Sequence, residues 1–266
     1  MQTRPRSTTW RARRIHRWLG LFIGVQFVLW TVGGLYFSWT RLEDVHGDHL
    51  MRPPGAVAAS AAFAQPSAIL ARLREREPVD SIVAMELASV LGRPTWRIAY
   101  VTTAGGRPVR RRQLADAETG ALRGALTRDE AVAAARAAYT GSAPVIAVEH
   151  LAEVGRHHEY REMPLPAWAV RFGDEEGATA YVAAELGHVV RIRNDAWRAF
   201  DFLWMLHTMD YRGRDDFNNL LLRAFSVLGL VTVASGFVLF ALTTRWGRER
   251  IAHARANRRA TPTHAG

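Results

Sequence analysis

The sequence predicts an α+β protein: two transmembrane helices flanking a tandem domain, each half of which is a helix followed by an antiparallel sheet. Three observations carry that prediction. Two uncharged apolar runs lie towards opposite ends of the chain. The excess of positive charge is confined to the tails outside those runs. The stretch between them passes twice through the same order of elements, helix and then strand-like runs.

The tails come first because they set the topology. The chain has 266 residues and a net charge of +10, with no lysine and no cysteine. Residues 1–17 hold six arginines and no acid, and residues 244–266 hold six arginines and one acid, Glu249. Residues 41–219 hold 22 arginines against 24 acids. A nucleic-acid binder would gather its positive charge on a folded surface. Here the charge sits in the tails, so no nucleic acid is expected. Without cysteine there is no disulfide framework, thiolate metal site or cysteine nucleophile.

Residues 18–39, "WLGLFIGVQFVLWTVGGLYFSW", carry no charge. About 20 such residues cross the hydrocarbon core, and Trp18 and Trp39 mark interfacial ends. A cleaved signal peptide would have a shorter apolar core and a small-x-small site after it, so an uncleaved anchor is expected. The second span covers 220–243, with the uncharged core "AFSVLGLVTVASGFVLFAL". Arginine-rich flanks are retained in the cytoplasm. Both termini are therefore expected inside, and residues 41–219 outside the inner membrane, in the periplasm of a Gram-negative cell. The lipid bilayer is the first partner. Gly20 and Gly24, and the series Ser226, Gly229, Thr232 and Gly236, stand at helix-contact spacing. They either pack the spans together or mediate a homodimer. Gln26, the strongly polar side chain inside a span, is expected to hydrogen-bond across helices or to mark a site.

Residues 40–66 read as a linker, rich towards their end in Pro, Ala and Ser. Residues 67–124 form the first repeat: the helical "PSAILARLRERE", then the strand-like "SIVAMELA", "TWRIAYVTT" and "RRRQLADAETGAL". Residues 125–195 form the second. Its helix opens at Thr127 with Glu130 three residues on, a capping box in which each side chain satisfies the other's backbone amide. The strand-like "APVIAVEHLA", "AWAVRFG" and "ATAYVAAELGHVVRI" follow. The repeats match residue by residue in two places. Pro94-Thr95-Trp96-Arg97-Ile98 corresponds to Pro166-Ala167-Trp168-Ala169-Val170, and "AETGAL" (117–122) to "AELGHV" (184–189). Both tryptophans are expected to be buried against their own helix.

Residues 196–219 read as an interfacial junction. Within it, "LHTMDYRGRDDFNN" (206–219) places a histidine, three aspartates and two arginines between apolar runs. On the expected topology these charges stay in water and headgroups, and Gly213 lets the chain turn into the second span. Phe200, Leu203, Trp204, His207 and Tyr211 share one helical face. His207 there could ligate a metal or haem, or donate to a carbonyl. His16 lies at the opposite membrane face, so the two cannot share one iron within a protomer. His46 and His49, beside Asp44 and Asp48, are a metal pair by residue type, though a solvated loop is the plainer reading. His157 and His158 look solvated. No catalytic residue or dedicated metal site is expected, since no nucleophile elbow, HExxH, phosphate loop or CxxCH is present.

The helix, the tryptophan strand and the hairpin around "AETGAL" resemble the PepSY domain. The flanks, "HRWLGL" at His16 and "LHTMDY" at His207, resemble the PepSY-associated transmembrane family. The resemblance covers about 15–245. It implies a membrane-anchored periplasmic PepSY module that binds or assembles with an envelope protein partner in iron uptake or peptidase regulation. Larger members of the family have more spans, and some reduce siderophore-bound iron with haem held in the membrane. For this chain that implies an alternative: a haem b-bearing electron-transfer component in which His16 and His207 are ligands, paired with their copies across a homodimer.

Overall fold

The structure, a computed structural model, describes residues 8–58 and 62–244. The basic tails therefore lie outside it except for residues 8–17 and Thr244. The chain divides into a helical unit, residues 8–38 with 202–244, and a domain unit, residues 39–201.

In the helical unit, α1 runs from Thr8 to Trp39 and α6 from Leu220 to Thr243. Both are long and apolar enough to cross a membrane. The α1 helix starts ten residues before the apolar run, because arginine is a good helix former and a helix need not end where the hydrocarbon does. The two helices meet through the stacked rings of Phe22 and Phe225, 5.5 Å apart. Gly229 lies so close to Phe27 that an added Cβ would stand 3.1 Å from its ring. Gly20 and Gly24 take no part in this contact: a Cβ there would meet nothing within 4 Å among the described residues. The α5 helix, Asp195–Thr208, begins in the domain unit and ends in the helical one. It stops at Met209, whose φ of 54° is left-handed. Tyr211 therefore falls beyond the helix, not on the face it was expected to share with His207.

The domain unit holds two copies of one motif. The first is α3 (Pro66–Arg76) with a sheet of order β1-β2-β3-β4: Ser81–Val90, Arg93–Ala104, Arg107–Asp116 and Leu122–Arg123. The second is α4 (Arg128–Ala138) with β5-β6-β7-β8: Val145–Leu151, Ala167–Phe172, Thr179–Ala183 and His188–Arg193. All neighbours are antiparallel.

The correspondence extends to single hydrogen bonds. Gly120 and Gly187 both have positive φ, 70° and 73°, in the turn before the last strand. Their amides bond Asp116 O and Ala183 O at 2.9 Å each. Ala117 N bonds Pro94 O and Ala184 N bonds Pro166 O, both at 3.0 Å. The residue before each helix N-cap then closes the motif, Ala64 N on Ala117 O and Leu126 N on Ala184 O, both at 2.8 Å. Trp96 and Trp168 sit at matching positions on β2 and β6 and pack against their helix clusters, half-buried, not fully enclosed.

The segment expected as a linker begins as structure. Residues Leu42–His46 form the short helix α2, and Asp48–Leu50 a 3-10 turn. Val45 and Leu50 are buried, and Arg52 N bonds Ala138 O at 2.7 Å. The periodicity of so short a segment is too brief to register as a helix, and its apolar residues find their partners in the second repeat.

Candidate functional site

Three places gather polar side chains. The first is in the helical unit, at the end of α5. The last carbonyls of a helix lack intrahelical donors. Gln26 Nε2 donates to Leu206 O and Trp30 Nε1 to His207 O, both at 2.9 Å. Gln26 thus takes the hydrogen-bonding role across helices. The ring of His207 lies among Trp30, Phe37 and Trp204, with centroids about 6 Å away. Its Nδ1 is buried without a hydrogen-bond partner. Beyond it, the buried Asp210 organises the turn. Its carboxylate accepts from the amides of Arg212, Gly213 and Asp216 at 3.0–3.1 Å. Burial alone would push this carboxyl up, but those amides together hold it below the usual range. Asn219 Oδ1 accepts from Leu222 N and caps α6, and its Nδ2 donates to Thr208 O. The aspartate-rich sequence is therefore a hydrogen-bonded turn.

His16, on α1, has its Nδ1 2.8 Å from Ser235 Oγ on α6. Fourteen residues separate His16 from Trp30, the α1 neighbour of His207, or about 21 Å of helix. Within one copy the two histidines therefore do not fit an axial pair on a single haem. His49 is engaged by acids: its Nε2 lies 3.0 Å from Glu176 and its Nδ1 4.0 Å from Asp44. No cluster of three or more His, Asp or Glu positioned to hold a metal ion occurs among the described residues.

The second place lies in the second repeat. Arg198, on α5, grips Glu159 through Nε at 2.7 Å and Nη2 at 3.0 Å, and it also reaches Asp195 and Gly177 O. Tyr181 donates to Glu159 Oε1 at 2.5 Å. Burial would lower the Arg198 pKa, but the Glu159 carboxylate beside it raises the value above the ordinary arginine range. Burial first, and then Glu159, push the Tyr181 phenol well up. Arg161 pairs with the buried Asp201 at 2.8 Å, and Arg193 lies over the Trp197 ring at 4.1 Å. Burial brings Arg193 down to about 10. The loop that carries His157 and His158 thus also holds Glu159 in this network and Tyr160 in the core. No local pattern could have revealed this, since Arg198 is 39 residues from Glu159.

The third place is a groove of about 460 Å³ beside β3, lined by Arg110, Arg111, Arg112, Arg123, Leu165 and Glu185, among others. Arg110 and Arg111 are exposed, and Arg112 is half-buried. Burial raises the Glu185 carboxyl against the pull of Arg112 and Arg111.

Two apolar helices bracketing a paired helix-and-sheet domain, whose polar side chains are largely tied into its own packing, define a membrane-anchored α+β domain protein. The sequence profile of the PepSY-associated TM region matches residues 13–265, and the chain belongs to that family. No curated protein and no solved structure matches it.

Proposed function

We propose that this membrane protein is a binding and assembly module whose domain stands outside the inner membrane, in the periplasm, with both termini in the cytoplasm. The observation that carries this reading is how the domain uses its charges. Glu159, Arg198, Arg161 and Asp201 hold the second repeat together, while the first repeat presents an arginine-lined groove. Such a surface suits recognition of an envelope protein, among which iron-uptake components and peptidases are the classes the family relation favours. Orientation is tested by reporter fusions at residue 120 and at the C-terminus, expected to read outside and inside. Binding is tested in cells by photo-crosslinking residues in place of the exposed Val83 and Ile146. A discrete adduct from at least one position is expected, and its absence from both would overturn the reading.

A second reading rests on the two histidines. Ser235 holds Nδ1 of His16 and leaves its other nitrogen open, while Nδ1 of His207 is buried and unpartnered. In a homodimer each could face its copy and hold haem b, which would supply one-electron transfer. Full-length protein expressed with ample haem would then show Soret absorbance that His207→Ala reduces. A wild-type spectrum without it sinks this reading.

A further inference from the structure

In the second repeat the third strand, β7, is covered along its outer edge by β8 from Ala183↔His188 to Thr179↔Arg193, with a β-bulge between Val182 and Tyr181. The first repeat starts the same arrangement and abandons it. Ala115↔Leu122 is the equivalent of Val182↔Val189, counted from the matched turn glycines. One residue later, at Leu114↔Arg123, β4 ends and the chain departs for α4. The β3 strand continues back to Arg107, paired with β2 on one side. No described strand covers its other edge from Gln113 to Arg107. In the sister repeat β8 fills the places that match Gln113 and Arg112, and β3 runs on beyond them from Arg111 to Arg107, past the length of β7.

We propose that this open edge of β3 takes up an extended, acidic segment of a partner protein, which adds antiparallel to it as a strand. An unpaired edge offers a row of amides and carbonyls to such a segment. The side chains along it specify the charge. Arg110 and Arg112 project from one face of the sheet and Arg111 from the other, because side chains alternate along a strand. Arg111 has a local acid, Glu77, at 3.7 Å, but Glu77 also accepts the Tyr100 hydroxyl. The side chains of Arg107 and Arg110 make no hydrogen bond or ion pair among the described residues. The groove beside the edge gives the incoming strand room, with Leu165 for an apolar side chain. Charge on an edge strand also serves to repel other strands. That role needs no groove, and it predicts that strands of either charge stay away.

This inference rests on the binding-module reading and names its site and partner chemistry. The test uses the full chain in phosphatidylcholine nanodiscs, with a labelled acetyl-(Thr-Glu)5-amide peptide as probe. The matching (Thr-Gln)5 peptide is expected to bind at least about tenfold more weakly. Arg110→Glu with Arg112→Glu should weaken the acidic probe by about tenfold and raise affinity for (Thr-Lys)5, with the melting temperature unchanged. The acidic probe N-methylated at alternate residues keeps its charge but lacks ladder donors, and it should bind as weakly as the glutamine peptide. Equal binding of the methylated and unmethylated probes would show an unspecific charge effect and overturn strand addition. No binding of the acidic probe would overturn the proposal. Crosslinks from Val83 and Ile146, on β1 and β5, would persist if only this site were wrong and vanish if the binding-module reading itself failed.

Discussion

In the first repeat, α3 buries Ile69 and Leu73 against the sheet; in the second, the same two helix positions are Ala131 and Ala135. The helices are equally long and the backbone bonds just before their N-caps correspond, so the backbone plan is shared and the core is not. Bulk in the second repeat comes from outside its helix. Leu50 and Val90 join that core, and Tyr139 stacks on Phe172 with ring centroids 4.0 Å apart. Leu50 precedes both repeats, and Val90 belongs to the first. The first core, with Ile98, Tyr100 and Ala115, draws all of its buried members from its own repeat. One repeat is locally self-contained, and the other is completed by the rest of the domain.

The largest way to break this comparison is to exchange the helix cores. Leu73→Ala is expected to cost about 2–5 kcal/mol, through lost transfer energy and a residual cavity. Ala135→Leu is expected to cost about 1–3 kcal/mol through overpacking. Denaturant unfolding of the detergent-purified chain, followed by tryptophan fluorescence, measures both. If Leu73→Ala proves nearly neutral, the first core is not the one described.

The polar clusters differ in the same sense. Each repeat has a tyrosine hydroxyl on a glutamate beside an arginine: Tyr100, Glu77 and Arg111 in the first, Tyr181, Glu159 and Arg198 in the second. The first ion pair is long and half exposed, and the second is short and largely enclosed. Glu159→Ala should therefore cost about 3 kcal/mol and Glu77→Ala no more than about 1 kcal/mol. Equal costs would mean that enclosure does not separate the clusters.

Helix starts sharpen the contrast further. Thr127 and Glu130 form the capping box on α4, while Gln65 makes no side-chain cap on α3. Thr127→Ala is expected to cost about 1 kcal/mol, and Gln65→Ala nothing measurable. The Thr127 amide holds Glu130 below its usual value of 4.5. A depressed carboxyl contributes stability that is present above its unfolded pKa and lost as pH falls through the folded one. Glu130→Gln should thus flatten the loss of stability below pH 4.5. An unchanged pH slope would remove Glu130 from the cap.

The smallest difference concerns the matched tryptophans. Trp168 Nε1 donates to Leu126 O at 2.9 Å, whereas Trp96 Nε1 is buried without a partner. Both changes to phenylalanine lose ring volume, but Trp168→Phe also leaves a carbonyl without its donor. It should cost about 1 kcal/mol more than Trp96→Phe. Equal melting temperatures would show that the indole bond adds nothing.

The amino-acid sequence by itself determined the spanning helices, the capping box and the duplication. Each is written in local pattern: an uncharged run of bilayer length, Thr127 three residues before Glu130, and a Trp strand and Gly turn that recur at fixed spacing. It led to the expectation that His16 and His207 lie at opposite membrane faces, from the arginine-rich flanks and the length of the first span. Only the tertiary structure decided what distant residues do to one another. Gln26 caps a helix 180 residues away, Arg198 reaches back to Glu159, and residues 42–50 fold onto the second repeat because their apolar side chains find a surface there. The open edge of β3 belongs to the same kind. Whether a strand is covered depends on where the following chain goes, and at Arg123 it turns away to α4, where Glu130 in the first turn holds the Arg123 guanidinium at 2.7 Å.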